Sequence, residues 1–170
     1  FASSPGVLGV ALRLQLAAAV QQLEGVPEPI AGAPVARDRL NPAGLYHYAA
    51  PGGFVQAHRG QAAALAERVI ARLSAALDGL RGRRVLELYA GAGALARELR
   101  AAGAEVRACE RYAPALEHAA RAAREQGLAG FSSESGDAER ILAAAARARS
   151  RWDAVIVNPP RRGLTPPLRE

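Results

Sequence analysis

The sequence predicts an α/β fold: an open, mostly parallel sheet with helices on both faces. Three observations predict it. From residue 83 onward, short apolar runs alternate with helical patterns, as they do where crossover helices link parallel strands. The run Val85-Leu86-Glu87-Leu88 passes directly into Tyr89-Ala90-Gly91-Ala92-Gly93, a strand, glycine turn and helix of the kind that cradles nucleotides. Gly91, Glu110, Asp137 and Asn158 each fall at the carboxyl end of an expected strand, the rim where open sheets bind ligands.

In chain order, residues 1–50 read as an irregular lead-in, the remnant of another domain, and residues 51–170 as the ligand-binding domain. Within the lead-in, residues 7–16 suit a strand or a helix start, 21–34 has the Pro and Gly density of a loop, and 39–48 holds an extended piece with Leu45, Tyr46 and Tyr48 suited to a sheet surface. Pro51-Gly52-Gly53 is a turn. The helix that follows carries Leu65, Val69, Leu73 and Leu77 at every fourth position and stops at Asp78-Gly79, so one face packs on the sheet. A strand over 84–89, a helix over 94–102, a strand over 105–109 and a helix opened by Pro114 and closed by Gly127 come next. A third strand lies around Phe131, a helix runs from an Asp137 N-cap to Arg149, and residues 152–157 form the fourth strand.

The 170 residues are half hydrophobic and carry a formal charge of +6, which fits one globular domain with a sizeable core. There is no Lys and no Met, even at position 1, and the expectation is a processed piece or a fragment of a longer reading frame. The basic balance favours a polyanionic partner, although abundant Ala and Arg also follow from GC-rich coding. A single Cys, Cys109, excludes an internal disulfide framework and a Cys-based metal cluster, and suits a reducing cytoplasmic setting. No apolar run reaches the length of a membrane span, and no His, Cys and acid spacing points to a metal.

Glu87 lies inside the first strand of the sheet, four residues before Gly91. There it can accept hydrogen bonds from the loop or from a cationic ligand group. Glu110 follows at about the 20-residue spacing at which an acid holds ribose hydroxyls. Glu110 supports nucleoside binding, while a dinucleotide fingerprint has no requirement for an acid at Glu87.

Three ordered motifs carry a resemblance to the S-adenosylmethionine-dependent RNA uracil-5 methyltransferases, which form 5-methyluridine in transfer and ribosomal RNA. Phe54-Val55-Gln56 after Pro-Gly-Gly resembles the family's cofactor-contacting Phe-Phe-Gln stretch. Residues 86–93, Leu-Glu-Leu-Tyr-Ala-Gly-Ala-Gly, resemble its Leu-Asp-Leu-Tyr-Cys-Gly-x-Gly motif. Asn158-Pro159-Pro160-Arg161-Arg162-Gly163 resembles its Asp-Pro-Pro-Arg-x-Gly motif, in which one ribosomal-RNA branch has Asn. The resemblance covers residue 45 to the end. It implies a Rossmann-like class I methyltransferase fold, incomplete at the C-terminus, and S-adenosylmethionine as cofactor. Gln56, Tyr89, Glu110 and Asn158 would contact that cofactor, Glu110 at the ribose, with Tyr89 and the Gly91 to Gly93 backbone on the methionine side and Asp137 toward the adenine. Ala94 and His58 stand where the family has Asn.

Pyrimidine C5 is a poor nucleophile, and the family overcomes this with a Cys thiolate that adds to C6 and a Glu that later removes the C5 proton. Both come after the Pro-Pro-Arg motif, so no catalytic residue is assigned in this chain, and the isolated chain is expected to be inactive. Cys109, just before Glu110 in an apolar strand, reads as a small buried residue. RNA is the expected partner, and Arg161 and Arg162 are placed to meet its phosphates. Residue by residue, plainer readings stand beside these: Gln56 as a turn residue, Tyr89 as a core aromatic, Glu110 as a solvated strand end, Asn158 as a strand breaker, His47 and His118 as surface or packing residues. Two alternatives of function remain: an amino methyltransferase using Asn-Pro-Pro, and a non-catalytic RNA-binding remnant. A nicotinamide dehydrogenase has no use for the Pro-Pro-Arg turn.

Overall fold

The computed structural model describes residues 5–14, 27–160 and 163–168. Arg161 and Arg162, expected to face RNA, lie outside them. Two short antiparallel ribbons come first: β1 (Gly9–Leu12) with β2 (Glu28–Gly32), and β3 (Ala36–Arg39) with β4 (Tyr46–Ala49). The segment read as an irregular lead-in thus contains regular strands. Its alternation is too short for a sequence pattern to reveal, because each strand has only four or five residues.

The alternating series follows: α1 (Arg59–Leu77), β5 (Arg84–Leu88), α2 (Ala94–Ala101), β6 (Glu105–Glu110), α3 (Ala113–Glu125), β7 (Phe131–Ser135), α4 (Ala138–Arg147) and β8 (Ala154–Val157). A 3-10 turn, Pro166–Leu168, packs against α4. The last four strands form one parallel sheet in the order β7-β6-β5-β8. From β5 the chain winds outward through β6 and β7, then α4 carries it back to β8 on the other side of β5. The direction of winding therefore reverses between β5 and β8, and such a switch point opens a crevice at the carboxyl ends of the strands.

Side chains alternate across β5 because successive residues in a strand point to opposite faces. Val85 joins Leu99, Val106 and Leu116 in a core covered by Val69, Leu73 and Leu77 of α1. Leu86 and Leu88 join Cys109, Ala138 and Ile141 in a second core on the α4 side. Both faces of the sheet are covered, as the continuous apolar run of β5 requires. The expected α1 stripe departs from this packing at one end: Leu65 is half exposed, and Ala62 and Ala66 are the buried residues of that turn. At its C-terminus Asp78 takes the left-handed cap, with φ 53°. The β3–β4 ribbon packs through Tyr46 and Tyr48 on Ala122 of α3.

Candidate cofactor site at the switch point

The crevice between β5 and β8 opens into a hollow lined by Phe54, Gln56, Tyr89, Ala92, Ala94 and Asn158, with Glu87 on its wall. Three separate segments converge here. Gln56 comes from the turn before α1, Tyr89 from the end of β5, and Asn158 from the end of β8. His58 closes the first of these by capping α1: its Nδ1 accepts from the Gln61 N–H at 3.2 Å. Helix α1 thereby has a side-chain cap where the resemblance led to Asn.

Tyr89 has φ 61°, a left-handed backbone that a bulky residue adopts only at a cost of roughly 1–2 kcal/mol. This bend ends β5 and lets Tyr89 line the hollow while packing against the Leu86 and Leu88 core. Gly91 and Gly93 continue the turn with φ 54° and 66°. A Cβ on Gly91 would lie 3.3 Å from the Phe54 carbonyl oxygen, and one on Gly93 would lie 3.0 Å from Ala119 Cβ of α3. The first glycine keeps the turn close to the Gln56 segment; the second lets α2 sit on α3. Helix α2 has no side-chain cap, and its first residues, Ala94 and Leu95, line the hollow, so its N-terminal dipole is directed there.

Glu110 sits at the end of β6 and reaches across to this turn. Its Oε2 accepts from the Gly91 N–H at 3.0 Å, and its Oε1 from the N–H groups of Arg111 and Tyr112 at 2.9 and 3.1 Å. A carboxylate has about four acceptor positions, so it keeps capacity for a further donor such as a ribose hydroxyl. Asp137 is the N-cap of α4 as expected, without a side-chain cap bond. The neighbouring Gly136 N–H donates to the Glu110 carbonyl at 3.1 Å, which ties the ends of β6 and β7 together. The site residues thus fall in two sets. Gln56, Tyr89 and Asn158 line the hollow; Gly91, Gly93, Glu110 and Asp137 do not, and Glu110 is linked to it through its bond to the Gly91 turn.

Three residues that sequence reasoning missed as parts of this site, Asp38, His47 and Arg59, also line it. Asp38 pairs with Arg59 at 2.8 Å and lies 3.8 Å from His47 Nε2. His47 is buried, and that burial, with Arg97 adding to it, holds its pKa down to about 4. No signal in the sequence marked them, because Asp38 comes opposite His47 only through the register of two four-residue strands. Beneath the hollow, burial pushes the Glu87 carboxyl up to about 8, against the pull of Arg97 and the Ala96 N–H. Its Oε2 is buried without a hydrogen-bond partner. A protonated, neutral Glu87 is the form this setting favours.

No protein-family model matches the chain. It is 30% identical over 147 residues to the 23S rRNA (uracil(1939)-C(5))-methyltransferase RlmD of Pseudomonas savastanoi pv. phaseolicola, a match spanning 86% of this chain and 32% of that protein. The resemblance to RNA uracil-5 methyltransferases holds. Among solved structures, the Pyrococcus abyssi tRNA (uracil-54, C5)-methyltransferase in complex with S-adenosyl-L-homocysteine superposes with a TM-score of 0.65 at 24% identity, over 83% of this chain and 32% of its own. The T. thermophilus 16S rRNA N2 G1207 methyltransferase (RsmC), in complex with AdoMet and guanosine, gives a TM-score of 0.59 at 28% identity, over 74% and 32%. The chain spans about a third of the length of these proteins. Its fold is the Rossmann-like class I methyltransferase fold, as expected.

Proposed function

We propose that this chain is the cofactor-binding part of an S-adenosylmethionine-dependent methyltransferase that modifies C5 of a uridine in ribosomal or transfer RNA. One observation carries the reading: Gln56, Tyr89 and Asn158, from three distant segments, line a common hollow at the sheet's switch point, with Glu110 fastened to its glycine turn. The donor set suits an adenosine-bearing cation. Glu110 has acceptor capacity for the ribose, Asp137 stands at the next strand end for the adenine, and Gln56 and Asn158 offer amides to the polar end. Tyr89 and the Gly91 to Gly93 backbone close the methionine side. Bound there, S-adenosylmethionine would supply an electrophilic methyl group on a sulfonium. The chain's own contribution is to orient that group and keep water from it.

Cys109 takes no part in the chemistry. Its thiol is buried, and burial first, then Glu134, pushes its pKa up to about 12, far from the reactive thiolate range. RNA as the partner and the cytoplasm as its setting belong to the same proposal, supported by the RNA-modifying relatives and the +6 charge. Among the described residues no helix is long and apolar enough to cross a membrane, and no group of three metal-binding side chains gathers.

Isothermal titration with S-adenosylmethionine and S-adenosylhomocysteine tests the cofactor; heat from neither removes the proposal. Mass spectrometry of ribosomal and transfer RNA from cells with and without the gene tests the acceptor, with loss of one 5-methyluridine expected. A second reading, methyl transfer to a base amino group through Asn158-Pro159-Pro160, is favoured by the likeness to RsmC. Loss of an N-methylated base with every 5-methyluridine retained would establish it instead.

A further inference from the structure

The β3–β4 ribbon has two faces, and the hollow uses only one of them. Asp38 and His47 pair in register and turn toward the hollow. One residue to either side, Arg37 pairs with Tyr48 and Arg39 with Tyr46, and the period of two puts these four on the opposite face. There the two tyrosine rings meet edge to face, 5.7 Å apart, and lie buried on α3. Three guanidiniums cover them. Arg37 is 4.6 Å from the Tyr46 centroid, Arg39 is 5.6 Å from the same ring, and Arg121 of α3 is 4.6 Å from Tyr48.

These arginines face solvent: the Arg37 and Arg121 side chains are 62% and 50% exposed. Glu125 is the carboxylate partner of Arg37 and Arg121: it accepts both tyrosine hydroxyls and the Arg121 Nε–H at 2.8 Å and lies 3.9 Å from Arg37, while Arg39 donates to the Gly44 carbonyl. Three guanidiniums against one carboxylate leave two positive charges in excess. A guanidinium stacked on a ring holds its remaining N–H groups in a fixed plane pointing sideways, the fork that matches a phosphate. Among the described residues none of the large exposed apolar side chains belongs to this face, so it offers charge and planar donors rather than an apolar patch.

We propose that the Arg37, Arg39 and Arg121 face binds the phosphate backbone of RNA, on the side of the ribbon opposite the cofactor hollow. The assignment rests on the RNA reading above and adds where the RNA lies.

Fluorescence anisotropy of the whole chain with a labelled RNA of roughly 20 nucleotides, without cofactor, tests it. Arg37→Gln with Arg121→Gln should weaken binding about fivefold or more and lower the slope of log affinity against log salt by about 1.4. Glu125→Gln should tighten binding, since the amide oxygen still serves the tyrosines while the negative charge is gone. Arg68→Gln with Arg72→Gln, an equal charge loss on the exposed side of α1, should change affinity less than about twofold. An equal loss in that control, no tightening by Glu125→Gln, or competition by polyglutamate as strong as by RNA would overturn the assignment. In the wild-type chain, bound RNA should also protect Arg37 and Arg121 from phenylglyoxal while leaving Arg68 and Arg72 reactive; the reverse pattern would refute it even if a variant failed to fold. Titration with S-adenosylmethionine on the same variants should be unchanged, so the docking face and the cofactor reading fail separately.

Discussion

Glu110 and Gly91 are joined across two adjacent strands: the Gly91 N–H donates to Glu110 Oε2 at 3.0 Å. Nineteen residues apart, they meet because β5 and β6 pair in parallel with Leu88 opposite Cys109. The bond sets the turn and aims the carboxylate at once.

Glu110→Gln should therefore weaken S-adenosylmethionine binding by about tenfold or more, since a hydrogen bond to a charged group contributes roughly 1.5–3 kcal/mol. Stability should fall less, because an amide oxygen can still accept from Gly91. Titration calorimetry checks the first statement, and urea unfolding checks the second.

The two turn glycines should respond differently to alanine. Both pay the left-handed cost of roughly 1–2 kcal/mol, with φ of 54° and 66°. A Cβ at Gly93 also presses on Ala119 at 3.0 Å, where two helices meet, so Gly93→Ala should destabilise the chain more. Gly91→Ala meets only the Phe54 carbonyl at 3.3 Å and should act mainly on cofactor affinity. Equal unfolding midpoints for the two variants would contradict this.

Glu87 and His47 should tilt stability with pH in opposite directions. Glu87 binds its proton more tightly when folded, so its contribution is fully present below about pH 4.5 and is lost as pH rises through about 8. His47 is held neutral, so its contribution is present above pH 6.5 and is lost as pH falls through about 4. Glu87→Gln should remove the alkaline loss and raise stability near pH 8 by on the order of 2 kcal/mol. Urea unfolding across this range would expose the prediction as wrong if the variant kept the wild-type alkaline slope.

Cys109→Ala should leave S-adenosylmethionine affinity within about twofold, because the thiol lies in the α4-side core and a small apolar residue replaces it there. In the native chain the thiol should resist iodoacetamide until denaturant is added. Rapid native alkylation would show that the thiol is accessible after all.

Much of the fold was legible in the chain itself. The apolar run of β5, its glycines, Pro114 at the start of α3 and Asp137 at the start of α4 are local signals, encoded in neighbouring residues and independent of what packs beyond them. The three motifs were legible for the same reason. What the ribbons do was not. Whether Asp38 or Arg37 faces the hollow depends on a pairing register of four residues and on where α3 lies.

From α1 onward the sequence by itself determined the order of strands and helices, the glycine turn and the types of polar group at each strand end, because short-range periodicity and backbone sterics decide these. Only the tertiary structure decided that Gln56, Tyr89 and Asn158 share one hollow, that Glu110 is bound to the turn beside it, and that His47 is buried in its wall. Such proximities follow from the β7-β6-β5-β8 strand order, and strand order is settled by long-range packing of both sheet faces.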